Sequence, residues 1–166
     1  MSKELNKWLN QSLKNKIIDL AKKLLKEKHI YIIGKDINYP ASLEFALKIK
    51  ETAYTHAEAF ASGELKHGVI ALIEKNTPCF VLASNNEYKN DIISSATEIK
   101  ARNGKIFGIA PFESKTFDFF IQTPDIEELT IIPNIIIGQL LGYYLGIGKG
   151  ADPDKPRNLA KSVTVK

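Results

Sequence analysis

His29-Ile30-Tyr31-Ile32-Ile33-Gly34 is a short apolar run closed by glycine. It is bounded and apolar on both sides of the chain, as a strand buried on both faces of a parallel sheet should be. A strand of that kind needs helices above and below it, so the run predicts an α/β domain rather than a helical bundle or an antiparallel sandwich.

The remaining chain fits the same plan. Residues 3–27 carry Leu5, Trp8, Leu9, Leu13, Ile17, Leu20, Ala21 and Leu24 at three- and four-residue steps, with lysines between them; this spacing predicts one amphipathic helix with a solvated basic side. Residues 34–39 form the loop from strand to helix, a place where open α/β sheets bind ligands, although no GxGxxG pattern is present. Pro40 opens a helix that runs to Gly63, with Leu43, Ala46, Leu47, Lys50, Ala53 and Tyr54 along its apolar face. Further strands are predicted at 78–83, 105–110 and 117–123. A helix spans residues from 85 to about 103, and a nearly all-apolar helix spans 127–148. The β-α-β-α-β-β-α order predicts a three-layer αβα sandwich on a mostly parallel, flavodoxin-like sheet, as a single domain over 1–166. Residues 150–166, with two prolines and no helical period, read as an extended tail.

Composition narrows the function. A hydrophobic content of 44% and a charged content of 25% are those of an ordinary globular domain. The basic residues behind the net charge of +4 are spread along the chain except for a lysine-rich first helix, which hints at an anionic ligand and is a poor argument for nucleic acid, so no nucleic-acid partner is expected. No apolar run is expected to reach transmembrane length, and no signal segment is expected at the start of the chain. The single cysteine, Cys79, excludes an internal disulfide, and its place in a buried strand makes it a packed thiol suited to a reducing cytoplasm.

Chemistry concentrates between Glu44 and Gly68, which holds four carboxylates, three lysines and two of the three histidines. Glu44, Lys48, Glu51 and Thr55 recur on one helical stripe, with Glu44–Lys48 at i,i+4 and Lys48–Glu51 at i,i+3. A solvated face with ion pairs worth about 0.3–0.5 kcal/mol gives the same pattern. A lysine between two carboxylates, followed by His67 in a glycine-bracketed turn, is also a set of proton-transfer groups. His56, Glu58 and His67 match no metal-ligand spacing, so neither metal nor cofactor is expected.

Two long motifs carry a resemblance. Asp152, Asp154 and Pro156-Arg157-Asn158-Leu159-Ala160-Lys161-Ser162-Val163-Thr164-Val165 resemble the C-terminus of the isomerising glutamine–fructose-6-phosphate aminotransferases (glucosamine-6-phosphate synthases). Tyr39-Pro40, Leu43-Glu44, Ala46-Leu47-Lys48, Lys50-Glu51, Tyr54, His56-Ala57-Glu58-Ala59 and Gly63-Glu64-Leu65-Lys66-His67-Gly68 resemble the same family. The resemblance implies a sugar isomerase (SIS) domain and a reaction from fructose 6-phosphate to glucosamine 6-phosphate through a Schiff base and a C1/C2 proton shift. By the same resemblance Lys161 is the Schiff-base lysine, Glu51 the general base, and His67 the ring-opening histidine, supplied to a neighbouring subunit. Glu44, Lys48, Arg157 and Ala160 are implied as substrate contacts.

The family's pattern has a glutaminase region and two SIS repeats, with the serine- and threonine-rich phosphate loops in the first. This chain resembles the second repeat. The expected partners are therefore a sugar phosphate and a second copy of the chain in a homodimer, with the glutaminase and first repeat either in a longer enzyme of which this sequence is a piece or on a separate chain. The Glu44–Glu51 stripe is expected at the carboxyl ends of the strands. A sugar-phosphate-binding module without catalysis is the alternative, as is a separately encoded subunit that completes a partner's fold.

Overall fold

The structure is a computed structural model that describes residues 2–158. The elements follow in the order α1 (Ser2–Trp8), α2 (Gln11–Leu24), β1 (His29–Gly34), α3 (Asn38–Ala53), β2 (His56–Ala61), β3 (Pro78–Leu82), α4 (Lys89–Lys100), β4 (Lys105–Ala110), β5 (Phe119–Gln122) and α5 (Ile131–Gly148). The strands form one sheet in the order β2-β1-β3-β4-β5, and every pairing is parallel.

The expected three layers are present. Ile30, Ile32, Phe80, Leu82, Phe107, Ile109 and Ile121 point to one face and meet α2, α3 and α5. Tyr31, Ile33, Cys79, Val81, Ile106 and Ala110 point to the other, against α4 and the 3₁₀ turns at Ser62–His67 and Val69–Leu72. The period of two explains why each strand reads as continuously apolar: both of its faces are core. Phe45, Phe80 and Phe107 stack across the first face with ring centroids 5.1 Å apart at each step.

Four expectations change. The first helix is two. Asn10 stands in extended backbone between them, and its side chain accepts the Leu13 N–H at 3.0 Å, so it caps α2. Trp8 then ties α1 to the sheet by donating from Nε1 to the Gln122 carbonyl at 2.8 Å.

The helix expected from Pro40 to Gly63 ends at Ala53. Tyr54 turns left-handed, and His56–Ala61 becomes an edge strand in register with β1, from His29↔His56 to Gly34↔Ala61. Alanine and glutamate hid this strand, because their helix preference is strong and an edge position asks for little apolar surface.

The apolar face of α3 is also rotated from the expected one. Ala41, Phe45, Ala46, Ile49 and Ala53 are buried, whereas Leu43 and Leu47 are 46% and 39% exposed. The cause is α5, which runs alongside α3 in the same direction. A Cβ on Gly138 would meet Phe45, one on Gly142 would lie 2.8 Å from Thr52 Oγ1, and one on Gly146 would run into the Thr52 carbonyl. The glycine edge of α5 lets the two backbones approach along the Phe45–Thr52 side.

Finally, α5 is by length and composition long and apolar enough to cross a membrane, with a mean hydropathy of 1.4 over 18 residues. The structure packs it instead on α2 and α3 and buries Pro133, Asn134, Ile137, Gly138, Leu141, Gly142, Leu145 and Gly146.

Candidate active site

Lys48 lies between two carboxylates. Its Nζ is 2.6 Å from Glu51 Oε2 and 3.4 Å from Glu44 Oε1. The three side chains are 25%, 30% and 36% exposed, in the order Lys48, Glu51, Glu44, along the border between the buried and solvent faces of α3. The hydrogen bond to Glu51, helped by the charge of Glu44, raises the Lys48 pKa against the opposing effect of burial. Lys48 is thus held as an ammonium and is unfit to be the free amine of an imine. The backbone beneath the ladder is fixed as well. Thr52 Oγ1 donates to the Lys48 carbonyl at 2.7 Å, and Gly142 of α5 packs on that carbonyl.

The ladder does not stand where it was expected. β1 feeds α3 from its carboxyl end, and β2 starts level with His29, the first residue of β1. The helix therefore runs against the strands, and Glu51, near its end, lies toward their amino edge. The expectation failed because it placed the whole helix at the loop where it begins.

His67 is elsewhere. It closes the 3₁₀ turn that follows the carboxyl end of β2, on the α4 side of the sheet. Its Nδ1 is 3.0 Å from Glu64 Oε2, and the two side chains are 71% and 65% exposed. A six-residue strand spans about 20 Å. Within one chain, His67 and Glu51 thus stand at opposite edges and in opposite layers. His56 begins β2 at the amino edge and contacts His29, with Nδ1 atoms 3.2 Å apart, so His56 and His67 cannot share an ion. Among the described residues no three metal-ligating side chains come together.

The tail returns to the end of α3. The Arg157 N–H donates to Tyr54 Oη at 2.9 Å, and the guanidinium carbon is 4.1 Å from the Tyr54 ring centroid. Lys149, just after α5, donates to Thr55 Oγ1, and partial burial lowers its pKa. Neither Lys149 nor the Tyr54–Arg157 contact was singled out in the sequence, where a lone lysine in Gly148-Lys149-Gly150 gives no signal. Ala160 and Lys161 lie outside the described residues.

At the carboxyl edge the polar groups of the strand–helix loop are engaged. Lys35 pairs with Asp91 and sits over Tyr88, and Asn38 donates to Ser84 Oγ at 2.8 Å while accepting from Asn134 at 2.7 Å. A groove of about 750 Å³ opens on the amino edge, lined by His29, Tyr31, Glu74 and Lys75 among others, and contains none of Glu44, Lys48, Glu51 or His67.

Residues 23–116 match the pattern of the SIS domain. The chain belongs to the SIS domain family. It is 46% identical over 158 residues to a glutamine–fructose-6-phosphate aminotransferase (isomerizing) of Wigglesworthia glossinidia brevipalpis, covering 92% of this chain and 26% of that protein. It is 46% identical over 162 residues to the protein of that name from Pyrococcus horikoshii, covering 95% and 27%. The solved C-terminal domain of glucosamine-fructose-6-phosphate aminotransferase from Francisella tularensis superposes with a TM-score of 0.78 at 31% identity, over 85% of this chain and 42% of that one. This SIS domain thus spans about a quarter of the length of these curated relatives.

Proposed function

We propose that residues 1–166 are a single SIS domain, the second of the two SIS repeats in the isomerase region of a glutamine–fructose-6-phosphate aminotransferase, which converts fructose 6-phosphate to glucosamine 6-phosphate. The observation that carries this reading is the Glu44–Lys48–Glu51 ladder at the end of α3 to which the tail returns. The relatives' names and the solved domain from Francisella tularensis support the same assignment.

The proposed chemistry follows from what each group can do. His67, supplied by a partner subunit, moves a proton as the hexulose ring opens. The Lys161 amine adds to the C2 carbonyl and water leaves, giving the imine. Ammonia displaces the lysine, Glu51 takes a proton from C1, and the proton is returned at C2. The product carries the amine at C2 and the aldehyde at C1. Lys48 donates a hydrogen bond to Glu51 and presents an ammonium to the sugar oxygens, with Glu44 holding Lys48 from the other side. Arg157 and Ala160 complete the substrate contacts. The buried Cys79 thiol fits a cytoplasmic setting.

The experiment is reduction with borohydride in the presence of fructose 6-phosphate. Covalent label at Lys161 is expected, and none in Lys161→Arg, whose guanidinium stays protonated. Label persisting in that variant would assign the nucleophile elsewhere. Affinity of residues 1–166 alone for the sugar phosphate is expected to be weak, because by the resemblance the phosphate loops belong to the other repeat and each hydrogen bond of such a clamp is worth about 1.5–3 kcal/mol. Micromolar binding by residues 1–166 in calorimetry would overturn the need for phosphate loops from the other repeat. A binding module without catalysis is the second reading, favoured by the exposure of His67 and its pairing with its own Glu64; imine formation at Lys161 excludes it.

A further inference from the structure

Tyr54 occupies a position that rarely takes a tyrosine. It is the C-cap of α3, with φ 52 and ψ 32, and its N–H returns to the Lys50 carbonyl. Glycine adopts this left-handed conformation without strain and usually fills such caps; a bulky side chain there is an outlier that asks for a reason.

The side chain supplies one. Its hydroxyl accepts the backbone N–H of Arg157, and its ring lies under the guanidinium of the same residue. The next residue, Thr55, is buried and accepts from Lys149. Between these ties the tail folds on itself, with Asp152 accepting the Asp154 N–H through its side chain and the Lys155 N–H through its carbonyl. Both ends of the 149–157 segment are therefore stapled to consecutive residues, three and four positions beyond Glu51.

We propose that Tyr54 is a positioning residue that anchors the C-terminal arm to the end of α3 bearing the Lys48–Glu51 pair. Its consequence for catalysis rests on the function proposed above: Lys161 lies four residues past Arg157, and the anchor limits how far it can stray from Glu51. Arg157 then acts through its stack on Tyr54 as well as through any substrate contact.

Tyr54→Gly separates cap from anchor, since it improves the first and removes the second. Three quantities are measured in the 166-residue chain: the melting temperature, amide exchange at Arg157 and Asn158, and the rate and half-saturation of imine trapping with fructose 6-phosphate. The melting temperature is expected to hold or rise, because glycine relieves the strained cap. Arg157 exchange is expected to speed up about tenfold on loss of one hydrogen bond. The trapping rate is expected to fall by about the same factor, with half-saturation unchanged. Tyr54→Phe, which keeps the ring, should show the exchange effect but only about a threefold loss in trapping rate. Unchanged Arg157 exchange in Tyr54→Gly would overturn the anchor. A freed arm with an unchanged trapping rate would overturn the positioning role. Absence of trapping in the parent chain counts against the proposed function, and the exchange measurement still decides the anchor.

Discussion

Lys48 and Lys149 show how one residue type is set to two tasks by its neighbours. Two carboxylates raise the pKa of the first, and partial burial lowers that of the second. The Lys48 interaction stabilises the fold below the lysine's ordinary pKa of 10.5 and fades as the pH rises through the raised value. Glu51→Gln removes the closer partner and the proposed base together. It is expected to leave borohydride trapping at Lys161 intact while abolishing exchange of the C1 proton with solvent, read by NMR; exchange that survives would remove Glu51 from the proton shift. A second residue-scale prediction concerns Cys79, whose thiol burial pushes up to about 12 from 9.0. The unfolded thiol ionises first, so the folded state binds the proton more tightly and loses stability as the pH rises from about 9 toward 12. The urea midpoint of the parent should fall more steeply between pH 8 and about pH 10.5 than that of Cys79→Val, which has no proton to lose. Parallel curves would refute the assignment. At this scale the sequence was informative where spacing alone sets the contact, as for Glu44, Lys48 and Glu51. It was silent on Tyr54–Arg157, a contact made across 103 positions.

Elements were legible where periodicity was undiluted. β1, β3 and β4 read as strands because both of their faces are core, and α5 read as buried because it is apolar all round. His56–Ala61 was lost since its side chains favour a helix and only its hydrogen bonds to β1 make it a strand. The rotated face of α3 was lost because it depends on glycines from another helix. That dependence gives a test. Gly→Ala in an isolated helix is stabilising by about 1 kcal/mol, yet a Cβ on Gly146 would run into the Thr52 carbonyl. Gly146→Ala is therefore expected to destabilise by about 1–3 kcal/mol in urea unfolding, the usual range for overpacking. Gly63→Ala is the control, with nothing within 4 Å of the added carbon, and should be nearly neutral. A stabilised Gly146→Ala would mean that α3 and α5 do not approach as closely as drawn.

At the scale of the molecule the difficulty is that the proposed groups do not meet in one chain. Glu51 lies toward the amino edge on the α3 layer, and His67 follows the carboxyl edge on the α4 layer. Rotating side chains cannot close that separation, so the proposed function requires a second chain to bring its own His67. The surface offers a place for one. Leu43 and Leu47 of α3 are exposed, as are Tyr143 and Ile147 of the neighbouring α5, so two parallel helices present apolar side chains outward. A two-fold dimer would cover such a patch with its own copy. Sedimentation equilibrium is expected to give a dimer, and Leu47→Lys with Tyr143→Lys a folded monomer. Complementation carries the sharper consequence. His67→Ala and Glu51→Gln should each be inactive in forming glucosamine 6-phosphate from saturating fructose 6-phosphate and ammonia. Mixed and re-equilibrated in equal amounts, half of the dimers are hybrids, and a hybrid holds one site with both groups intact. Activity should return to about a quarter of the parent's if the sites are shared across the two-fold axis. If each chain used its own His67, a hybrid would contain no complete site and mixing would restore nothing; that result would leave the dimer standing and remove the shared site.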